Sequence, residues 1–195
     1  MTSQASVVSP ERFGTGIPDF PSWMAAIEQR KDEFQKHYDE YEPNEDDLTA
    51  IRTLVEKHGV KAMVLGEDWC PDVWRGVPVI AKVSERTGME LRLFKRDENK
   101  DIMAEFLNKG EFESIPTIVF YDRDHRYLGH WMERAVLANE QIAEIRAEVM
   151  AGVPAEGPER DAAMTRYRAA TTERAAPWRH AQVTEFRALL EKALA

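Results

Sequence analysis

Hydrophobic residues recur at helical spacing through the first third of the chain. One apolar stripe predicts a helix that begins at Ser22 and ends before Pro43. Asn44 and Gly59 are residue types that begin and end helices, so a second helix is predicted between them. Residues 1–21 show little periodicity and contain three prolines, which is typical of a flexible lead. The stripe of the first helix consists of Trp23, Ile27, Phe34, Tyr38 and Tyr41.

From residue 60 onward, short apolar runs alternate with segments of helical periodicity. Strands are predicted at 60–66, 89–94, 117–122 and 126–132, and helices at 73–88, 99–110 and 138–151. The polar turn between the last two strands predicts a hairpin. A strand, helix and strand followed by a helix, hairpin and helix is typical of an α/β sandwich on a mixed sheet.

The segment after the predicted sandwich returns to helical periodicity. A linker-like stretch over 152–159 precedes two predicted helices that are separated at Pro177. The expected organisation has four parts: a flexible lead (1–21), N-terminal helices packed on the core (22–59), an α/β domain (60–152) and a C-terminal helical extension (153–195).

Composition and charge narrow the functional classes. The chain has 195 residues and a formal net charge of −9, which argues against nucleic acid as a partner because phosphate binding needs a basic face. It shows no signal-peptide pattern and no apolar run of about 18 residues, so we expect a cytoplasmic protein that does not bind membranes. A single cysteine excludes an internal disulfide, and five scattered histidines give no metal-ligand pattern.

The only cysteine, Cys70, lies where a predicted strand ends and a predicted helix begins. Free backbone N–H groups and the helix dipole lower a thiol pKa at this position, and Pro71 suits the first helical turn. The carboxylates of Glu67, Asp68 and Asp72 act in the opposite direction. Free cysteines are also often buried and inert. The residues around Cys70 therefore leave both a reactive and an inert thiol open.

Three motifs resemble the thioredoxin family over residues 60–150. Trp69 and Cys70 stand where the family has the Trp-Cys of its W-C-G-P-C motif, and Pro78 matches the proline in the helix that follows. The stretch S-I-P-T at 114–117 is similar to the family's cis-proline loop. The resemblance implies a thioredoxin-like sandwich with a mixed central sheet, flanked by extra N-terminal and C-terminal helices.

The chain also resembles a bacterial branch of that superfamily, which has an E-D-W-C-G-D motif and a single active-site cysteine. Residues 67–72 read E-D-W-C-P-D, with proline in place of the glycine, and residues 96–99 read R-D-E-N. Val73 replaces the resolving cysteine of thioredoxin, while Val64 and Leu93 align with the family's buried acid and nearby lysine. Together these replacements imply a protein without internal dithiol exchange.

Monothiol thiol-disulfide exchange is the first functional hypothesis that the resemblance implies, and it would make the protein a monothiol oxidoreductase. Cys70 would attack a disulfide of a partner protein or form a mixed disulfide with a small thiol. That thiol would be a co-substrate, and no bound cofactor is expected. Ile115 and Pro116 would position the partner by strand addition. The supporting residues would be Trp69, Pro71 and Asp72.

Arg134 follows the last predicted strand and has two alternative roles. Its guanidinium could stabilise a thiolate or hold an anionic group, or it could pair with one of the acids at positions 67, 68 and 72. Pairing is the more ordinary role, and a structural contact is likewise favoured for Arg96 and Asp97.

A non-catalytic binding module is the alternative from another functional class. In that case the same groove and the added helices recognise a protein partner, and Cys70 is a packing residue. A third hypothesis, hydrolysis by paired carboxylates among residues 67, 68 and 72, is weak because acids adjacent in sequence point in different directions.

Overall fold

The computed structural model describes residues 6–195, which form nine α-helices and four β-strands. The helices are α1 (Pro10–Gly14), α2 (Phe20–Ala26), α3 (Lys31–Glu40), α4 (Glu45–His58), α5 (Pro71–Thr87), α6 (Lys100–Met103), α7 (Val136–Met150), α8 (Pro158–Glu173) and α9 (Ala175–Ala193). The strands are β1 (Lys61–Gly66), β2 (Glu90–Lys95), β3 (Thr117–Tyr121) and β4 (Tyr127–Met132). A 3₁₀ turn over Arg96–Glu98 follows β2. None of these helices is long and apolar enough to cross a membrane.

The four strands form one mixed sheet in the order β2-β1-β3-β4. β1 is parallel to β2 and antiparallel to β3, and β3 and β4 form the predicted antiparallel hairpin. Parallel neighbours need a crossover connection, which α5 supplies between β1 and β2. In the centre of the sheet, Val64 lies opposite Leu93 on one side and Ile118 on the other. The predicted fold class, a thioredoxin-like α/β sandwich with a mixed sheet flanked by helices, is confirmed.

Helices cover both faces of the sheet. Successive strand residues point to opposite faces. Phe120 of β3 meets Phe186 of α9 with 5.5 Å between ring centroids, whereas its neighbour Tyr121 meets Phe13 of α1 at 6.2 Å. β3 is consequently buried along its whole length. Burial on both faces explains why this strand appears in the sequence as a continuous apolar run and not as an alternating pattern.

The single helix predicted before Pro43 is wrong, because the chain forms α2 and α3 with a break between them. In the break, the backbone N–H groups of Glu28 and Gln29 each donate to Asp68 Oδ2 at 2.9 Å. Arg30 then takes a left-handed φ of 57° before α3 begins. A carboxylate that is distant in sequence has therefore replaced the bonds of a continuous helix, and the apolar stripe carries no sign of this.

The expectation of a flexible lead over residues 1–21 differs from the structure where that lead is described. Phe13 of α1 is buried, and Ile17 forms an isolated antiparallel bridge with Leu93 on the edge of β2. The described part of the lead is therefore held by the burial of an apolar side chain and by backbone pairing with the edge strand β2. The weak periodicity of this segment does not indicate either contact. Residues 1–5 of the lead lie outside the described residues.

Two other predicted boundaries are wrong. The helix expected over 99–110 is limited to α6, since the chain then tightens into short turns and reverses at Lys109 and Gly110, whose φ angles are 56° and 74°. The C-terminal break lies at Arg174, while Pro177 occupies the first turn of α9, where its missing N–H leaves no helical bond unmade. The division of the chain into four parts stays a prediction.

His37 of α3 is buried against α9. Arg179 donates through Nη1 to His37 Nδ1 at 2.8 Å, and Glu40 lies 3.6 Å from Arg179 Nη2. Burial, followed by the charge of the Arg179 guanidinium, lowers the pKa of His37 from its ordinary 6.5 to about 3. His37 is therefore a neutral acceptor that joins an N-terminal helix to the C-terminal one.

We predict that His37 makes the fold sensitive to mild acid. The pKa of His37 is lower in the folded protein than in the unfolded chain. Below pH 6.5 the unfolded chain therefore binds a proton at His37 that the folded protein does not bind. The protein loses stability as the pH falls from 6.5 towards 3. His37→Gln keeps an acceptor for Arg179 but does not titrate. The free energy of unfolding of the wild type should fall by about 2 kcal/mol more than that of His37→Gln between about pH 6.5 and 4.5. Parallel urea-unfolding curves for the two proteins over this range would contradict the prediction.

Candidate functional site

Cys70 is the N-cap residue of α5, and its side chain is covered. The residue is only 8% exposed. Its thiol donates to the carbonyl oxygen of Ile115, with Sγ 3.7 Å from that oxygen. The peptide bond between Ile115 and Pro116 is cis. The structure therefore brings the cysteine and the proline loop together, as the resemblance to thioredoxins implies.

Burial is the largest influence on the Cys70 thiol, and it raises the pKa above the ordinary value. The Val73 backbone N–H at the start of α5 lowers the pKa, the charge of Asp72 raises it, and the Asp72 backbone N–H and the charge of Arg134 lower it by smaller amounts. The helix N-terminus is thus present as the sequence predicts, but loss of solvent outweighs it. Cys70 is a protonated thiol at neutral pH.

The two acids before Trp69 hold the loop between β1 and α5 in place. Glu67 Oε1 accepts the Asp97 backbone N–H at 2.6 Å, and Asp68 binds the break between α2 and α3. Burial raises the pKa of Glu67, and the bond from Asp97 opposes this. Both carboxylates are already occupied by backbone donors, so the geometry gives no support to paired-carboxylate hydrolysis. Nowhere in residues 6–195 are three or more His, Cys, Asp or Glu side chains grouped to hold a metal ion.

Trp69 is the exposed member of this loop. Trp69 is 47% exposed, and the Arg96 guanidinium lies over its ring at 5.5 Å from the ring centroid. Arg96 is fixed in turn by Asp97 at 2.8 Å and by Glu113 at 2.9 Å. The structural contact favoured for Arg96 and Asp97 is present, and it helps hold an aromatic ring at the surface.

Arg134 adopts the ion-pair arrangement that the sequence left as one of two alternatives. Its Nε lies 3.2 Å from Asp72 Oδ2, and its Nη2 lies 3.2 Å from Glu133 Oε2. Burial raises the pKa of Asp72, and the charges of Arg134 and Arg75 oppose that rise. Pro71 occupies the first position of α5, beside this pair.

Apolar residues occupy the positions where thioredoxins keep their other exchange groups. Val73, at the position of the resolving cysteine, is completely buried. A Cβ on Gly66 would lie 2.8 Å from Val73 Cγ1, so glycine lets β1 pass close to α5. Val64 and Leu93 are paired in register and are also buried.

Sequence reasoning missed two arginines near the start of α5. Arg75 follows Asp72 at a helical spacing that places both side chains on one face, and it donates to Thr171 Oγ1 of α8 at 3.3 Å. That spacing was a usable signal. Arg179 lines the same cavity from α9, and nothing in its local sequence indicates this placement.

A mixed sheet, a cysteine at the start of a helix and a cis-proline loop against its sulfur define a thioredoxin-like protein. The chain belongs to the thioredoxin family, since a family model described as Thioredoxin matches residues 17–147. A comparison with curated proteins found no match.

Two solved structures share the fold across almost the whole chain. One is a protein of unknown function from Pseudomonas aeruginosa, with 18% identity, a TM-score of 0.63 and coverage of 97% of this chain and 99% of that one. The other is an HIV epitope-scaffold, with 18% identity, a TM-score of 0.62 and coverage of 96% and 99%. At this identity the likeness shows the fold alone.

We predict that Asp68→Ala loosens the loop that presents Trp69. Removing the carboxylate leaves two backbone N–H groups without their acceptor, so the free energy of unfolding should fall by about 1–2 kcal/mol. Amide hydrogen exchange at Glu28 and Gln29 should accelerate as well. Asp124→Ala removes an exposed acid and serves as the control, with an expected change within about 0.5 kcal/mol. Equal effects of the two substitutions would contradict the assigned role of Asp68.

Proposed function

We propose that this chain is a thioredoxin-fold binding protein that recognises an extended segment of a partner protein, and that Cys70 packs the site without exchanging disulfides. The contrast between two consecutive residues carries the proposal. Trp69 is held at the surface by Arg96, whereas Cys70 is covered and its thiol is bonded to Ile115. The residue available to a partner is thus the tryptophan.

The rigidity of the loop supports a binding role. Glu67 and Asp68 are each bonded to backbone N–H groups outside the loop, so Trp69 loses little conformational freedom when a partner packs on it. Tryptophan on a rigid support supplies a large apolar contact area, which is why it is frequent among residues that dominate binding energy.

The backbone of the proline loop supports an extended partner. The Pro116 carbonyl already accepts the Glu133 N–H at 2.8 Å, and the Ile115 carbonyl accepts the Cys70 thiol. No backbone acceptor among the described residues pairs with the Ile115 N–H. That donor is the group to which an added strand would bond, with Trp69 contacting its side chains.

The binding proposal predicts opposite results for two neighbouring substitutions. Peptides selected by the wild-type protein from a displayed random library would serve as the probe, with affinity measured by fluorescence anisotropy. Trp69→Ala should weaken binding by about tenfold or more, because a central aromatic contact is lost. Cys70→Ser should change the affinity by less than about threefold, since the sulfur lies beneath the contact surface.

Tyr127→Ala is the matched control for exposed aromatic area, because Tyr127 is 53% exposed on β4. It should bind the selected peptides as the wild type does. The proposal fails if no peptide is enriched, if Trp69→Ala binds normally, or if Cys70→Ser loses binding as severely as Trp69→Ala does.

Monothiol exchange is the second candidate, and one observation favours it. Cys70 lies at the N-terminus of α5 beside a cis-proline loop, and the backbone N–H of Val73 lowers the thiol pKa. In such a reaction the Cys70 thiolate would attack a disulfide, one sulfur of that disulfide would leave as a thiolate, and a second thiol would later release Cys70. Burial opposes the first step, because the attacking form is charged.

Alkylation of the only thiol separates the two candidates. Modification of Cys70 by iodoacetamide should be slow in the folded protein. The midpoint of its pH dependence should lie above about pH 8.5, the ordinary pKa of a cysteine thiol, because burial raises the pKa of Cys70. Denaturant should accelerate the reaction, and Cys70→Ser provides the blank. A midpoint below about pH 7.5, together with a mixed disulfide formed from oxidised glutathione, would favour exchange over binding.

A further inference from the structure

A small cavity lies beside the Cys70 loop, between the start of α5, the segment joining β4 to α7, α7 itself and α9. Its volume of about 30 Å³ exceeds the roughly 10–15 Å³ that one water molecule needs. Part of the lining is apolar, and the rest is charged. The charged lining residues are Asp72, Arg75, Glu133, Arg134 and Arg179.

Positive charge is in excess around the cavity. Three guanidinium groups face two carboxylates, and both carboxylates belong to the Arg134 ion pairs. The Nε atoms of Arg75 and Arg179 are buried, and neither has a hydrogen-bond acceptor in the part of the chain that the structure describes, whereas Arg134 Nε is paired with Asp72. Buried donors without acceptors are costly, and their convergence on one cavity indicates a missing acceptor.

Arg75 is the least satisfied of the three. Within the described residues no carboxylate lies within 4.0 Å of its guanidinium, and its bond is to the Thr171 hydroxyl at 3.3 Å. Burial lowers the pKa of Arg75, and the charge of Asp72 opposes this. A guanidinium remains protonated at any physiological pH. Arg75 therefore cannot lose its charge by giving up a proton, and the buried charge needs a negative partner.

Arg179 adds a second buried donor from a different element. The residue is 7% exposed, and its two Nη atoms are engaged by His37 and Glu40. Its Nε is left without an acceptor although the residue lines the cavity. An anion held here would join α5 to α9.

We propose that this cavity binds the carboxylate group of a small ligand, with Arg75 as its principal partner. A carboxylate is planar and has two acceptor oxygens, which match the parallel N–H groups of a guanidinium. The cavity volume of about 30 Å³ suits a carboxylate group, and the apolar part of the lining, which includes Ala138, Ile142 and Trp178, suits the carbon atom attached to it. The proposal does not depend on partner binding at Trp69.

The test is a titration of the full chain with sodium acetate at constant ionic strength, with sodium chloride as the balancing salt. The arginine Nε–H resonances of ¹⁵N-labelled protein are the readout. Those of Arg75 and Arg179 should shift with saturation in the wild type. In Arg75→Gln, the affinity for acetate measured from the Arg179 resonance should fall by about tenfold or more, because a charge-assisted hydrogen bond is lost. Arg126→Gln is the control, since Arg126 is exposed and pairs with Asp124 on the far hairpin turn.

Several results would overturn the carboxylate site. They are the absence of a saturable shift in the wild type up to about 100 mM acetate, an equal loss in Arg126→Gln, and saturation by inorganic phosphate without any response to acetate. The wild-type titration decides the question even if Arg75→Gln does not fold. Arg75→Lys, which keeps the charge but loses the planar fork, should bind more weakly than the wild type.

The source of the carboxylate is distinguished by two acetylated tripeptides of alanine. One has a free C-terminal carboxylate and the other is amidated. Tighter binding of the free form than of acetate would identify a chain terminus as the ligand, and binding equal to that of acetate would identify a free acid. If the amidated peptide bound as tightly as the free peptide, the proposal would be overturned, because the amidated peptide has no carboxylate.

Discussion

The carboxylate of Asp68 accepts two backbone N–H groups from the break between α2 and α3, and the shape of the site depends on this contact. The preceding residue, Glu67, binds the Asp97 N–H, so consecutive residues fix the loop on two sides. With the loop fixed there, Trp69 remains exposed and Cys70 is covered. The N-terminal helices therefore take part in building the site, and Glu67 and Asp68, the first two acids of the E-D-W-C-P-D stretch, hold its loop in position.

Two opposing influences on Cys70 decide what the site can do. The start of a helix stabilises a nearby negative charge by about 0.3–1 kcal/mol at exposed positions. Removal from water acts against the same charge and can raise a thiol pKa much further. At 8% exposure the second influence is the larger, and the Ile115 carbonyl favours the protonated thiol as well, because it can only accept a hydrogen bond. A protein that retains the position of a nucleophile need not retain its reactivity.

Much of the fold could be predicted from the sequence, and the limits have a physical origin. β1 and β3 are buried on both faces and therefore appear as continuous apolar runs, while the proline loop was recognisable from the motif at 114–117. The break before α3, by contrast, depends on Asp68, which lies about forty residues further on. Whether Cys70 is covered and whether Arg179 reaches the cavity depend on packing between distant elements, and local periodicity does not record such packing.

The C-terminal helices form a wall of the site. A Cβ on Gly76 would lie 3.2 Å from Pro116 Cγ, and Gln182 of α9 donates to the Gly76 carbonyl at 3.2 Å. α5, the proline loop and α9 thus meet around a residue that has no side chain to separate them. α9 is therefore packed directly against α5 on the side where α5 meets the proline loop. The same packing brings Arg179 to the cavity, so the segment that the sequence presents as an extension contributes part of the positive charge around it.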